Sequence, residues 1–258
     1  MSAAAALPLD ALVRLAERAG AVILEHYAAG TEVRAKADRS PVTAADEAAE
    51  AVIVAGLEAI APGTPVIAEE AVAAGRVPET ADRPFWLVDP LDGTREFLSR
   101  NGEFTVNIAL VEGERPVLGV VHAPALGRSW WGRIGEGAKL GDAGGQRRIA
   151  TRRRPTSGAV AVASRSHRDP GTDALLRELG VVDTRSAGSS LKFCLLAEGA
   201  ADVYPRFGPT MEWDTAAGQA VLCAAGGAVL TPEGAPFVYR KPGFRNGPFV
   251  AWAEPPSG

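Results

Sequence analysis

The 258-residue chain has a net charge of −4, with 22% charged and 47% apolar residues. That supplies one large domain or two modest ones with an ample core, and it excludes a disordered tail and a dedicated nucleic-acid binder, whose affinity would rest on neutralising phosphates. The two cysteines, Cys194 and Cys223, lie far apart in apolar surroundings without metal-ligand spacing, so reduced core thiols of a cytosolic protein are expected rather than a zinc site.

From the N-terminus, Met1 to Ala6 has neither the basic start nor the apolar run of a signal peptide, and no later stretch is long enough to span a bilayer. Leu12, Leu15, Ala16, Ala19, Val22 and Ile23 recur at helical spacing and Gly30 supplies a stop, which predicts an amphipathic first helix. His26 has no second His or Cys beside it and is assigned no role. After an extended piece around Val33 to Lys36, Thr43 and Asp46 have the spacing of a capping box that opens an Ala-rich helix to about Ile60. Asp46 is either that cap or part of a site lying opposite.

Two short strands then end in acids. Pro65 to Ala68 leads into Glu69-Glu70, and the apolar Phe85 to Val88 is expected to stop at Asp89, because an ionised carboxylate does not enter a core without a partner. In Asp89-Pro90-Leu91-Asp92-Gly93-Thr94, Pro90 and Gly93 shape a turn that lets two carboxylates converge. Like charges held together need a cation, and oxygen-only ligands favour a hard ion such as Mg²⁺ over zinc. The plain alternative is a strand-to-helix turn capped by Asp92 or Thr94. Two strands that deliver acids at their carboxyl ends are expected to face one another and share an ion. Residues 71–84, polar and carrying Gly and Pro, read as a flap.

Phe104 to Val111 and Pro116 to Val121 read as a hairpin or meander, with Trp130-Trp131-Gly132 as a third, core-packed strand. Gly141 to Gly145 reads as a loop. Arg147, Arg148, Arg152, Arg153 and Arg154 read as a solvated linker between subdomains 1–150 and 151–258, with a local anion funnel as the alternative. Beyond it, an apolar run at Ala159 to Ala163, helices at about Thr172 to Leu179 and Ser190 to Glu198, and a strand at Val203-Tyr204 predict an α/β unit. Ser164-Arg165-Ser166-His167 and Gly188-Ser189-Ser190 are places where hydroxyls and free N–H groups can hold phosphate, Ser189 being equally an ordinary N-cap. Asp214 either caps the small-residue helix it opens or reaches a buried cation.

Taken together, Trp86 to Thr94 and Trp213 to Gly218, with Glu69-Glu70 upstream, resemble the two signatures of the inositol monophosphatase superfamily of Mg²⁺-dependent, lithium-sensitive phosphatases. Glu96-Phe97, Asn101 to Leu110, Ser164 to His167, Gly188 to Cys194 and Tyr204 to Thr210 bring the resemblance nearest to its 3′(2′),5′-bisphosphate nucleotidases. The resemblance runs from near residue 10 to near residue 250. It implies a mixed α+β and α/β fold, a layered α-β-α-β-α sandwich with the site between an antiparallel N-terminal half and an α/β C-terminal half.

By the same resemblance, Glu69, Asp89 and the Leu91 carbonyl hold one Mg²⁺ and Asp89, Asp92 and Asp214 a second, with room for a third, weaker ion near Glu69 and Glu70. Glu69, Thr94 and Asp46 are the implied catalytic groups, with Thr94, oriented by Asp46, positioning or deprotonating the attacking water. Gly93 and Thr94 are expected to offer N–H groups to the cleaved phosphate, and Ser164, His167, Gly188, Ser189, Lys192 and Arg206 to hold the second phosphate and the adenosine. Ala68 departs from the Gly or Ser common before the acid pair, without removing a ligand. The implied reaction is removal of the 3′-phosphate of adenosine 3′,5′-bisphosphate (PAP), giving AMP, with its sulfated analogue PAPS as a further substrate, in sulfate assimilation. Its rivals are an inositol or other sugar-phosphate phosphatase, and a non-catalytic metal- or nucleotide-binding regulator. A homodimer, a cytoplasmic location with loose contact at the inner membrane face, and no nucleic-acid partner complete the expectation.

Overall fold

The computed structural model describes residues 7–29, 33–35, 41–163 and 170–256. In the N-terminal half the order is α1 (Leu9–Ala29), β1 (Val33–Ala35), β2 (Pro41–Thr43), α2 (Ala44–Ile60), β3 (Val66–Ala68), α3 (Glu69–Ala73), β4 (Phe85–Asp92), α4 (Thr94–Leu98) and β5 (Thr105–Glu112), followed by β6 (Arg115–Ala123), β7 (Arg128–Arg133), β8 (Gly137–Asp142) and β9 (Gly145–Ile149). Strands β3 to β9 form one seven-stranded sheet in sequence order, antiparallel apart from the parallel β3–β4 pair.

The C-terminal half adds β10 (Ala159–Ala163), α5 (Pro170–Glu178), β11 (Val181–Ser186), α6 (Leu191–Ala197), β12 (Val203–Arg206), β13 (Thr210–Met211), α7 (Glu212–Ala224), β14 (Ala228–Leu230), β15 (Arg245–Asn246) and β16 (Phe249–Trp252). Five of its strands form a sheet in the order β11-β10-β12-β16-β14. The chain returns to neighbouring parallel strands β10, β11 and β12 through α5 and α6, as such connections require.

Period-two alternation along β4 explains the layering. Trp86 and Val88 pack with Leu12, Ile23 and Ile53 of α1 and α2, whereas Phe85 and Leu87 point to the other face and pack with Phe193 of α6 and Ala217 and Val221 of α7. Tyr204 and Phe249 of the second sheet close that same cluster, and Leu176 of α5 covers its far side with Ala161, Val203 and Val250. The succession is helix, sheet, helix, sheet, helix, as the resemblance implied.

Three local expectations are corrected. Strand β4 does not stop at Asp89: it runs to Asp92, with the register against β5 shifting between those two acids where Pro90 cannot donate to the ladder. Asp89 stays in the strand because its Oδ1 accepts the Leu91 N–H at 3.1 Å. The Gly141 to Gly145 stretch is the tip of a hairpin, with Gly141 and Asp142 in β8, Gly145 in β9 and only Ala143-Gly144 as the turn, and Arg147 and Arg148 belong to β9 rather than to a linker. Arg152 is not solvated anion bait, since its guanidinium makes two 2.8 Å bonds to buried Asp202. The segment read as a flap begins with α3, and farther on the Ala81 and Arg83 carbonyls accept from the Arg240 guanidinium. Cys194 and Cys223 are free thiols, and no helix among the described residues is long and apolar enough to cross a membrane.

Candidate active site

The β3–β4 register sets the acids side by side. Ala68 pairs with Val88 in parallel, so the next residues, Glu69 at the start of α3 and Asp89 within β4, lie side by side at one level. Glu50, on α2 and only 7% exposed, accepts the Glu70 N–H at 2.8 Å and so fixes the start of α3. Burial raises the Glu50 carboxyl above its ordinary range against the lowering pull of the Glu70 and Ala71 N–H groups. Sequence reasoning missed Glu50, which on a helix with apolar spacing gives no signal of its own.

Asp46 is the cap and also reaches toward Thr94. Its Oδ2 accepts the Thr43 N–H at 2.9 Å and the Thr43 hydroxyl at 2.7 Å, closing the capping box, while its Oδ1 stands 3.5 Å from the Thr94 hydroxyl. The long contact leaves that hydroxyl, also 3.5 Å from the Leu91 carbonyl, free to reorient. Thr94 opens α4 after Gly93, whose φ of 90° is a left-handed conformation that glycine tolerates.

A cavity of about 450 Å³ lies over this turn, lined by Glu69, Asp92, Gly93, Thr94, Arg95, Glu96, Trp213, Asp214, Arg245 and Asn246, among others. Asp89 and Leu91 are buried and are not part of that lining. Asp214 is the third residue of α7, not the residue that opens it, and its Oδ2 accepts the Met211 N–H at 2.8 Å. The Ser190 hydroxyl stands 3.0 Å from Asp92 Oδ2 and 2.8 Å from the Asp214 carbonyl oxygen, tying the two acid-bearing segments together.

Both acids are held above the ordinary carboxylate range. Burial is the main cause for each; for Asp214 the charges of Asp92 and Glu69 add to it, whereas Lys192 works against it at Asp92. Carboxylates crowded in this way suit a hard divalent cation, which would relieve both burial and repulsion, and the donors are all oxygen. Among the described residues, no three His, Cys, Asp or Glu side chains converge into a closed cage, so the acids frame a space rather than meet at a point.

A smaller recess of about 130 Å³ shares Asp92, Gly93, Glu96 and Asp214 with the cavity and is lined on its other side by Ser189, Lys192, Tyr204 and Arg206. Several donors expected to face a ligand are already engaged. The Gly188 N–H bonds Glu103 Oε2 at 2.9 Å, the Ser189 hydroxyl bonds the Glu103 carbonyl at 2.9 Å, and Lys192 Nζ bonds the Ala187 and Ser189 carbonyls. Ser189 is not an N-cap: it sits at φ 42°, and Ser190 precedes α6. Burial lowers the Lys192 amine to about 8 against the opposing pull of Asp92. Arg206 donates through Nη2 to the Pro209 carbonyl at 3.2 Å, and its buried Nε has no partner among the described residues. Ser164 and His167 lie outside the described residues. Arg95, Trp213, Arg245 and Asn246 were not anticipated. The last two reach the cavity because β15 pairs with β13 just before α7, a pairing no local pattern announces.

The same arrangement has known counterparts. The model of the inositol monophosphatase family matches residues 8–254. A 3′(2′),5′-bisphosphate nucleotidase CysQ of Escherichia coli (strain K12) is 48% identical over 247 residues, covering 92% of this chain and 98% of that protein. The crystal structure of CysQ from Bacteroides thetaiotaomicron, described as a bacterial member of the inositol monophosphatase family, superposes with a TM-score of 0.78 at 40% identity, covering 94% and 95% of the two chains. An IMPase of Thermotoga maritima superposes with the same TM-score, 0.78, at 26% identity, covering 95% and 91%. With acid-tipped parallel strands, a helix-borne Asp214 facing them and these matches running nearly end to end, the chain belongs to the inositol monophosphatase family.

Proposed function

We propose that this protein is a Mg²⁺-dependent phosphatase that removes the 3′-phosphate of adenosine 3′,5′-bisphosphate, giving AMP and inorganic phosphate, with the sulfated analogue as a second substrate. The observation that carries the reading is that Glu69, Asp92 and Asp214 line one cavity, with Asp89 buried next to Glu69 in the β3–β4 register. The name of the Escherichia coli relative supports the substrate.

In this reading Glu69, Asp89 and the Leu91 carbonyl would hold one cation and Asp89, Asp92 and Asp214 another, with Glu70, next to Glu69 in the chain, available to a third. Bound there, the cations supply Lewis acidity that activates a water and stabilises charge on the departing ester oxygen. The remaining work belongs to the chain. Thr94, with Asp46 Oδ1 as acceptor, holds the water's hydrogen in line and passes a proton toward a carboxylate otherwise committed to its cap. Gly93 and Thr94 present backbone N–H groups to the phosphate at the cavity wall. Arg206, whose Nε lacks a partner among the described residues, is the best placed cation for the second phosphate, and Ser189, Gly188 and Lys192 shape the recess beside it. Residues 1–150 and 151–258 are the two halves that meet at this site.

The test is phosphate release from adenosine 3′,5′-bisphosphate and from inositol monophosphate, with and without Mg²⁺, by the wild type and Asp89→Asn. The expected result is Mg²⁺-dependent release favouring the nucleotide and a loss of at least about 100-fold in the variant, the upper end for a perturbed metal shell. Preference for the inositol ester overturns the substrate, and no release from either ester leaves a non-catalytic binder.

A further inference from the structure

Asp92, an acid of the cavity lining, is gripped by side chains from both halves of the chain. On β5, Asn107 is 1% exposed and Thr105 0% exposed, two polar residues in a strand whose other buried positions are all apolar. The Asn107 amide stands 3.3 Å from Asp92 Oδ2 and 2.9 Å from the Ser190 hydroxyl, and the Thr105 hydroxyl donates to Asn107 Oδ1 at 3.1 Å. The Asp92 contact assigns the amide, because the reversed orientation would set its carbonyl oxygen against a carboxylate, and the Thr105 hydroxyl then donates to Oδ1. With both amide hydrogens committed, the single Ser190 hydrogen lies between the Asp214 carbonyl at 2.8 Å and Asp92 Oδ2 at 3.0 Å. Ser190 is 1% exposed, so water does not replace these partners.

Two other buried or half-buried acids near the site hold backbone. Glu50 fixes the start of α3, and Glu103 holds the turn at Gly188 and Ser189. The Asn107–Ser190 pair instead joins an acid's own oxygen to the backbone of the residue carrying the opposing acid. Its members are 83 residues apart, so only the assembled fold brings them together.

We propose that Asn107 and Ser190 are positioning residues for Asp92, a buried amide and hydroxyl that hold its Oδ2 in register with the Asp214-bearing turn and so set the spacing of the acids contributed by the two halves. The inference rests on the reading that these acids bind divalent cations. Rotation of the Asp92 carboxylate is restricted by two donors on one oxygen, which leaves Oδ1 as the oxygen presented to a ligand. Loss of either donor releases that rotation and weakens cation binding, whereas the overall fold, whose core lies on both sides of the sheet, persists.

The experiment is a Mn²⁺ titration followed by electron paramagnetic resonance on the intact protein, Mn²⁺ standing in for Mg²⁺ at an all-oxygen site. The proteins compared are wild type, Ser190→Ala, Asn107→Leu, which keeps the branched shape of the amide without its polar atoms, and the double variant. Melting in EDTA serves as the folding control. Each single variant is expected to bind Mn²⁺ 10–100-fold more weakly, the usual range for groups that orient metal ligands. The double variant is expected to lose less than the product of the two, because the pair acts as a unit. Excess Mg²⁺ is expected to restore kcat more fully than the metal affinity. Should Ser190→Ala not fold, Thr105→Val, which withdraws the donor from Asn107 Oδ1, is titrated in its place and is expected to weaken Mn²⁺ binding in the same direction. Affinities within twofold of wild type in folded variants overturn the proposal, as does a wild type that binds no Mn²⁺. A wild type that binds Mn²⁺ but releases no phosphate from the nucleotide sinks the substrate reading alone.

Discussion

Lowering the pH is expected to destabilise the protein through His122, which does not line the cavity. His122 lies on β6, is 7% exposed, and has Nδ1 2.9 Å from the Ser129 hydroxyl. Its other side lies flat against α1: a Cβ built on Gly20 would stand 2.6 Å from both Cδ2 and Nε2 of the ring. A proton on Nε2 would therefore face a helix backbone instead of water. Burial lowers the imidazole from 6.5 to about 4, with a hydrogen bond to the Arg128 backbone opposing the shift. The unfolded chain thus binds a proton that the folded one refuses between those two values, so this contribution is complete above pH 6.5 and is lost as the pH falls toward 4. The full gap corresponds to about 3 kcal/mol, of which about 2 kcal/mol is lost between pH 7 and pH 5. In a chain of this size that is about 4–8 °C in Tm. Scanning calorimetry in EDTA at the two pH values, on wild type and His122→Asn, isolates the effect, because the site carboxylates titrate alike in both proteins. The acid-induced fall in Tm is expected to be smaller in the variant by that amount. An equal fall in the two proteins refutes the assignment.

Two further outcomes follow from the site and its support. Mg²⁺ is expected to raise Tm, because a ligand bound only by the folded state adds about 2.7 kcal/mol at 100 times its dissociation constant; melting in EDTA against saturating Mg²⁺ checks this, and an unchanged Tm argues against a cation between Asp92 and Asp214. Gly119→Ala is expected to cost about 1–3 kcal/mol as an overpacking change, since the added Cβ would stand 2.7 Å from the Ala217 carbonyl oxygen and 2.9 Å from the Ala217 Cα. Because α7 must shift to admit it and carries Asp214, Mg²⁺ affinity is expected to fall along with Tm, and calorimetry with a Mn²⁺ titration would expose a variant in which only one of them moved.

What could be read from the residues alone was whatever lies within a few positions along the chain. The Thr43–Asp46 box, the helix it opens and the two acid-tipped strands are set by spacing of two to four residues, the range over which backbone geometry alone decides which side chains meet. Strand β9 was lost because every residue of it through Arg148 is exposed, which removes the alternation that marks a half-buried strand. Asp89 misled because a buried carboxylate was expected to need an ion or an end of strand, whereas a bulge let the Leu91 N–H fold back to it. Asn107 and Ser190 were invisible because their meaning lies in partners 15 and 83 residues away. One signal was available: Thr105 and Asn107 interrupt the apolar run of a strand buried on both faces, and buried polar residues require partners.

The position of Asp214 is determined from behind as firmly as from the front. Glu212, two residues before it and 0% exposed, accepts the Arg240 N–H at 3.1 Å and the Lys241 N–H at 2.8 Å, with Lys241 Nζ 2.9 Å away. Arg240 in turn donates to the carbonyls of Gly113, Ala81 and Arg83, so the start of α7 is joined to the β5–β6 turn and to the segment leading into β4. Gly119 permits the rest of α7 to lie directly on β6. The spacing of the acids is therefore imposed by packing on both sides of the site, and the repulsion between Asp92 and Asp214 persists in the folded chain because neither can retreat. Sites built this way lose stability in exchange for ready-made geometry. A cation entering such a frame gains electrostatic energy without reorganising the chain, which is the condition for binding that is strong enough to activate water yet independent of domain closure.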